Sequence, residues 1–320
     1  MHLQSPINLI LVHQRLKLGW KDLADISRRI VAKSRHIRML LVSEVDTSAV
    51  LPLEVWRRPT MTVSFGPLGQ FSPQRGSVFA NRAISKVLQA SRLAEANVAT
   101  PHTAAFRFGM RLNVRDWGEF VILKPAPLRL TSSAEGTYLF RTERLNTIQP
   151  ENLPERHMAR RVPMLVQRFI DTGERISKQR ITTLLGEPFH WAFSINKMCR
   201  PPLASADELL DSAIVSTSAS TERDWSFEIP PADMLEIARH AAAAFPSIPL
   251  LGLDILRCNN TGKLYVLEIN AGGNVWHYSS PLAAEERISH PENFPSEKQK
   301  QSSFDLAADI LIQKALAIAC

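Results

Sequence analysis

Hydrophobic and polar positions change period repeatedly along this chain, and each change marks an element. Residues 7–12 are apolar apart from Asn8, the pattern of a buried strand. Leu23, Ile26, Ile30 and Val31 give residues 21–33 a helical spacing, and residues 37–42 read as the next strand, a βαβ opening. A third strand over 61–65 precedes a stretch rich in Gly, Pro and Ser, taken as a linker that closes an N-terminal α/β domain at residue 76. From Asn81 the spacing of Ala83, Ile84, Val87, Leu88 and Leu93 predicts a helix to about residue 96. A strand over 119–125 ends on Lys124 and Pro125, and a loop of small and polar residues, 130–137, leads into another strand reaching Phe140. Beyond Pro163, residues 164–170, 180–185, 189–195, 253–257 and 263–270 are strand-like. Residues 231–245 and 304–318 are helical, the last amphipathic. The expected fold class is α/β of the α+β kind, in three units, 1–76, 77–163 and 164–320. Residues 141–163, which include His157, and 196–229 carry little regular pattern and either cover a site or form surface loops.

Composition narrows the function classes. The chain has 320 residues, 45% hydrophobic and 22% charged, with 38 Lys and Arg against 31 Asp and Glu for a net charge of +7. That excess favours anionic ligands such as nucleotides, phosphates or carboxylates. No helix-turn-helix turn, RNP-like aromatic strand or basic run accompanies it, so nucleic acid is not an expected partner. Cys199, Cys258 and Cys320 are far apart and form no C-x-x-C or Cys/His cluster, which points away from disulfides and structural zinc. Residues 1–13 lack a basic n-region and a long apolar run, and 241–256 are broken by Pro246, Pro249, Gly252 and Asp254. A cytoplasmic protein without a membrane segment is expected.

The densest chemistry lies near the C-terminal end. Gly252-Leu253-Asp254 and Leu267-Glu268-Ile269-Asn270 flank an Asn-Asn-Thr-Gly turn, so a hairpin brings Asp254 beside Glu268 and Asn270, the latter two on one strand face. Hard oxygen donors on rigid strands suit Mg²⁺, which takes few protein carboxylates and completes its shell from water and phosphate. The other reading of the same residues is a solvated hairpin face. Ala271-Gly272-Gly273-Asn274-Val275-Trp276-His277 follows, where paired glycines allow close backbone approach and Asn, Trp and His gather on one loop.

With these parts in this order, residues 80–280 resemble the ATP-grasp superfamily, of the carboxylate–amine ligase type. The resemblance implies an N-terminal α/β domain preceding two lobes that clamp ATP. It assigns Lys86 and Lys124 to the nucleotide phosphates and the small-residue loop, with Ser132, Ser133 and Gly136, to a flexible cover over them. Gln167, Phe169 and Ile170 match the interlobe hinge whose backbone meets adenine, and Glu174 matches the ribose carboxylate, with Asp171 as its rival. Asp254, Glu268 and Asn270 match the metal ligands, Glu268 bridging two Mg²⁺ ions, with Mn²⁺ as an alternative metal. The chain also departs from the pattern: D-alanine ligases carry arginine where Gly252 stands, so the cation for the transferred phosphoryl group must come from elsewhere, and Arg180 is the candidate. The loop after the metal motif borders the acceptor site in the family, giving Asn274 an orienting role and His277 that of a general base. Arg257 reads as a solvated charge.

The activity so implied spends ATP to activate a carboxylate as an acyl phosphate, which an amine converts to an amide or peptide bond with release of ADP and phosphate. Small-molecule carboxylates and amines, amino acids or peptides among them, are the expected substrates. A phosphotransferase on the same fold and a nucleotide-binding regulatory protein are the alternatives. The last amphipathic helix packs either in cis or between chains of an oligomer.

Overall fold

The computed structural model describes residues 6–14, 20–126, 137–211, 222–272, 278–279 and 281–319. The expected βαβ opening is present: β1 (Ile7–His13), α1 (Trp20–Lys33) and β2 (Ile37–Ser43). A one-turn helix α2 (Leu53–Trp56) then leads to β3 (Thr60–Ser64) and β4 (Ser77–Ala80). These strands form a parallel sheet in the order β2-β1-β3-β4. Because β4 pairs with β3, the N-terminal sheet extends past residue 76 to Ala80. The predicted helix also begins later than its apolar spacing suggested. Residues 81–85 are non-helical, Ser85 caps the helix by accepting from the Leu88 amide at 3.2 Å, and α3 runs Lys86–Glu95.

A second sheet follows, built from β5 (Thr103–Ala105), the short α4 (Val114–Trp117), β6 (Phe120–Pro125), β7 (Tyr138–Arg141), α5 (Thr142–Thr147) and β8 (Met164–Arg168). Its antiparallel order is β5-β8-β6-β7. His157, in a region that carried no pattern, is a core group: it is buried, stacked 4.0 Å from the Tyr138 ring, and accepts from the Ala159 amide through Nδ1.

The third sheet carries the candidate site. It comprises β9 (Ser177–Leu184), β10 (Glu187–Asn196), β11 (Arg223–Ser226), β12 (Leu250–Arg257) and β13 (Leu264–Ala271), in the order β11-β10-β9-β12-β13. Between β10 and β11 lies α6 (Asp207–Asp211), and between β11 and β12 lies α7 (Ala232–Ala243). Strand alternation gives the sheet two different faces. Ile181, Leu251, Leu253 and Ile269 pack with Met234, Ala238, Ala241 and Ala242 of α7 and with Leu93 of α3. Burying each of these larger side chains contributes roughly 1.5–3 kcal/mol. The other face holds Lys178, Arg180, Asp254, Glu268 and Asn270.

After α8 (Pro281–Ser289) the chain ends in α9 (Glu297–Ala319), longer than the predicted 304–318. Phe304, Ala307, Ala308, Leu311 and Ala315 of α9 join Leu23, Ile26 and Ile30 of α1 and Leu184 and Leu250 of the third sheet in one core. This helix therefore packs in cis, and Lys33 adds ion pairs to Asp305 and Asp309. Among the described residues no helix is long and apolar enough to cross a membrane.

One buried side chain ties the N-terminal sheet to the site sheet. Asn81 donates to the Phe65 carbonyl at 2.7 Å and accepts from the Leu250 amide at 3.3 Å, at the start of β12. Replacing it removes both bonds. Asn81→Ala is expected to lower the unfolding free energy by about 2 kcal/mol in urea titration; a loss indistinguishable from zero would show that these two bonds do not hold the sheets in register.

Candidate active site

The register of three adjacent strands builds the site. Arg180 of β9 lies opposite Asp254 of β12, and Asp254 lies opposite Glu268 of β13. Directly opposed residues share a face with Cβ atoms about 4.5–5.5 Å apart, so Arg180, Asp254 and Glu268 form one row. Asn270, two residues beyond Glu268, sits on the same face opposite Gly252. The predicted hairpin and its three oxygen donors are thus brought together. Among the described residues no group of three or more His, Cys, Asp and Glu is placed to hold a metal ion; the donor set here is two carboxylates and an amide. That set fits Mg²⁺, which keeps several water or phosphate ligands, better than a metal needing an all-protein cage.

Each carboxylate of the row is paired with cations. Asp254 is buried and takes two bonds from Arg180, Nε to Oδ1 at 2.7 Å and Nη2 to Oδ2 at 2.9 Å. Lys178 Nζ adds a third at 3.1 Å to Oδ2. Burial alone would raise the Asp254 pKa, but Arg180 and Lys178 outweigh it and hold the group below the usual carboxylate range. For Arg180, burial opposes the charge and the bidentate contact with Asp254 more than restores it, leaving its pKa raised. Arg180 thus stands beside Asp254 on the strand next to the one that carries Gly252.

Glu268 is met from the other side of the cleft. Lys86, the first residue of α3, places Nζ 2.5 Å from Glu268 Oε1. The helix is held there by Gln89, whose Oε1 accepts from the Ile269 amide and whose Nε2 donates to the Ile84 carbonyl. Lys124 reaches toward the same carboxylate from the second sheet. On β6 it shares a face with Gln167 of β8 and donates to Gln167 Oε1 at 2.9 Å, while Gln167 donates to Thr103 Oγ1. Gln167 is thus an orienting partner for Lys124. Burial pushes the Lys124 pKa down from 10.5 to about 8; Glu268 raises it and Lys86 lowers it further.

The residues expected to form the hinge follow β8. The Phe169 amide donates to the Phe120 carbonyl at 3.1 Å, and the Arg200 guanidinium lies over the Phe169 ring, 5.8 Å from its centre. Ile170 is buried. Of the rival ribose carboxylates, Asp171 is engaged in the turn, accepting from Arg200 Nη2 and the Gly173 amide, whereas Glu174 is exposed. Arg257 pairs on the surface with Asp233 at 2.8 Å. Ser132, Ser133, Gly136, Asn274 and His277 lie outside the described residues. Lys178, Gln89 and Arg200 were not singled out from sequence. For Lys178 the signal existed, because it alternates with Arg180 on one strand; Gln89 and Arg200 act through contacts that no spacing encodes.

No protein-family model matches the chain, and no curated protein sequence matches it. Solved structures do. The ATP-grasp ligase PsnB complexed with a minimal precursor, Mg and ADP superposes with a TM-score of 0.51 at 13% identity, covering 98% of this chain and 100% of that one. PsnB complexed with precursor peptide PsnA2 and AMPPNP gives 0.50 at 12% identity, covering 96% and 98%. The chain has the ATP-grasp fold.

The charge cluster makes a prediction independent of any ligand. Because burial disfavours the protonated Lys124, the folded state binds fewer protons than the unfolded state between about pH 8 and 10.5, and its contribution to stability rises across that interval. Glu268 opposes the depression, so Glu268→Gln is expected to move the Lys124 titration below its wild-type value of about 8. NMR titration of ¹³C-dimethylated lysines reads this shift; an unmoved midpoint would separate Lys124 from Glu268.

Proposed function

We propose that the chain is an ATP-dependent carboxylate–amine ligase that forms an amide or peptide bond through an acyl phosphate, releasing ADP and phosphate. The observation that carries this reading is the row Arg180, Asp254, Glu268 faced across the cleft by Lys86 and Lys124. Phosphoryl transfer needs positioning and charge neutralisation more than covalent help, and this is what the row and the opposing lysines offer. Asp254, Glu268 and Asn270 would hold two Mg²⁺ ions, or Mn²⁺ in their place. When bound, these ions supply neutralisation of the triphosphate.

The residues divide the remaining work. Lys86 and Lys124 bind the nucleotide phosphates, with Gln167 holding Lys124 in line. Phe169 and Ile170 border the adenine, and Glu174 takes the ribose, since Asp171 is committed to the turn. Arg180 steadies the γ-phosphoryl group as a carboxylate oxygen of the substrate attacks phosphorus and the bond to ADP breaks. The amine then attacks the acyl carbon, phosphate leaves, and the amine proton passes to a base, a role proposed for His277 beside Asn274. Water would hydrolyse the acyl phosphate, so the segment with Ser132, Ser133 and Gly136 is proposed as its cover. PsnB is bound to a precursor peptide, which supports amino acids or peptides as the substrate class proposed here.

The test is nucleotide product analysis with Mg²⁺, ATP and pooled carboxylates and amines. ADP and phosphate in equal amounts, dependent on both pools, are expected, with Glu268→Gln reducing turnover at least about 100-fold while its circular-dichroism melt stays unchanged. ADP with a stable phosphorylated product would make the protein a phosphotransferase, AMP with pyrophosphate would contradict the acyl phosphate, and full activity in Glu268→Gln would contradict the site.

A further inference from the structure

Lys178 is a cation of this cleft that the proposed reaction leaves without a task. Its side chain is 13% exposed, and an ammonium taken so far from water needs a partner. Its partner is Asp254 Oδ2, although Arg180 already binds both oxygens of that carboxylate. Two positive charges therefore sit on one negative charge. A divalent cation at this site requires the same carboxylate, and Lys178, with a single contact, is the more easily displaced of its two partners.

On its other side Lys178 faces donors without partners. In the register of β9, β10 and β11, Lys178 lies opposite Ser194 and Ser194 lies opposite Trp225. The three side chains thus occupy adjacent positions on one face. Ser194 Oγ and Trp225 Nε1 are both buried with no hydrogen-bond partner, and Ser194 is 1% exposed. Orphaned buried polar groups are scarce because each costs free energy to keep. An ammonium, a hydroxyl and an indole N–H all donate, and together they complement an oxyanion.

Resting on the nucleotide-dependent reading above, we infer that Lys178 is an exchangeable counter-ion. It neutralises Asp254 in the metal-free protein; displaced by a divalent cation, it joins Ser194 and Trp225 in binding an oxyanion, either of the nucleotide or of the carboxylate substrate. Cation and anion then favour each other's binding, because the first releases the ligand of the second.

The experiment measures Mn²⁺ binding to the nucleotide-free full chain by electron paramagnetic resonance, together with calorimetric titration of ADP and AMPPNP in Mg²⁺. Lys178→Met is expected to bind Mn²⁺ about tenfold more tightly than wild type, because a competing charge is gone. Lys178→Arg keeps the competing charge and is expected to stay near wild type. Ser194→Ala is expected to leave Mn²⁺ binding alone while weakening the same anion that Lys178→Met weakens. Weaker binding of both nucleotides assigns the oxyanion to the diphosphate, and weaker AMPPNP alone assigns it to the γ-phosphoryl group. An effect on neither, with a raised KM for the carboxylate, assigns it to the substrate. Mn²⁺ affinity of a folded Lys178→Met within about twofold of wild type, or Ser194→Ala with no effect on any anion, would overturn the proposal. A wild-type protein that binds neither Mn²⁺ nor AMPPNP would overturn instead the nucleotide reading beneath it.

Discussion

Everything at the cleft depends on the bidentate contact between Arg180 and Asp254. A buried carboxylate without a partner would be protonated or would unfold its surroundings, and here the pairing of β9 with β12 supplies the partner at the opposite register position. A register slip of one residue would turn Arg180 toward α7 and put Ile181 against Asp254. The apolar face guards against that slip: Ile181, Leu253 and Ile269 interlock with α7 only in the observed alignment. Core packing on one side of the sheet thus fixes the electrostatics on the other.

The second constraint joins the second and third sheets. Glu268 stands on the third sheet, Lys86 on the helix that leads into the second, and Lys124 on the second sheet itself. The half-exposed pair of Lys86 and Glu268 contributes little to stability in water. Its significance is arrangement: four strands and a helix from different parts of the chain converge their charged groups on one space. Lys124, partly desolvated and oriented by Gln167, holds its proton less firmly than a surface lysine.

Much of this was legible in the sequence, for identifiable reasons. Strand alternation placed Glu268 and Asn270 together, and the Asn-Asn-Thr-Gly turn delivered Asp254 beside them; that Arg180 stands opposite Asp254 is set by the pairing of β9 with β12. Periodicity failed where a single side chain decides the boundary. The helix begins at Lys86 because Ser85 caps it and Asn81 is occupied by Phe65 and Leu250. The short strands β5 and β11 carry too few residues to show alternation, and β11 supplies Trp225. Lys178 was in plain view two residues from Arg180, yet a lysine on a strand reads as solvated until its partner on another strand is known. Long-range hydrogen bonds such as those of Gln89 and Arg200 leave no local trace at all.

In the proposed reaction Asp254 and Glu268 together present metal-bound triphosphate to Arg180. The most direct measurement is ³¹P NMR of AMPPNP bound to the protein with trace Mn²⁺, comparing wild type with Asp254→Asn. Strong paramagnetic broadening of the β- and γ-phosphorus resonances is expected in wild type, and its loss in the variant. Equal broadening in the two proteins would place the metal elsewhere and contradict the proposed reaction.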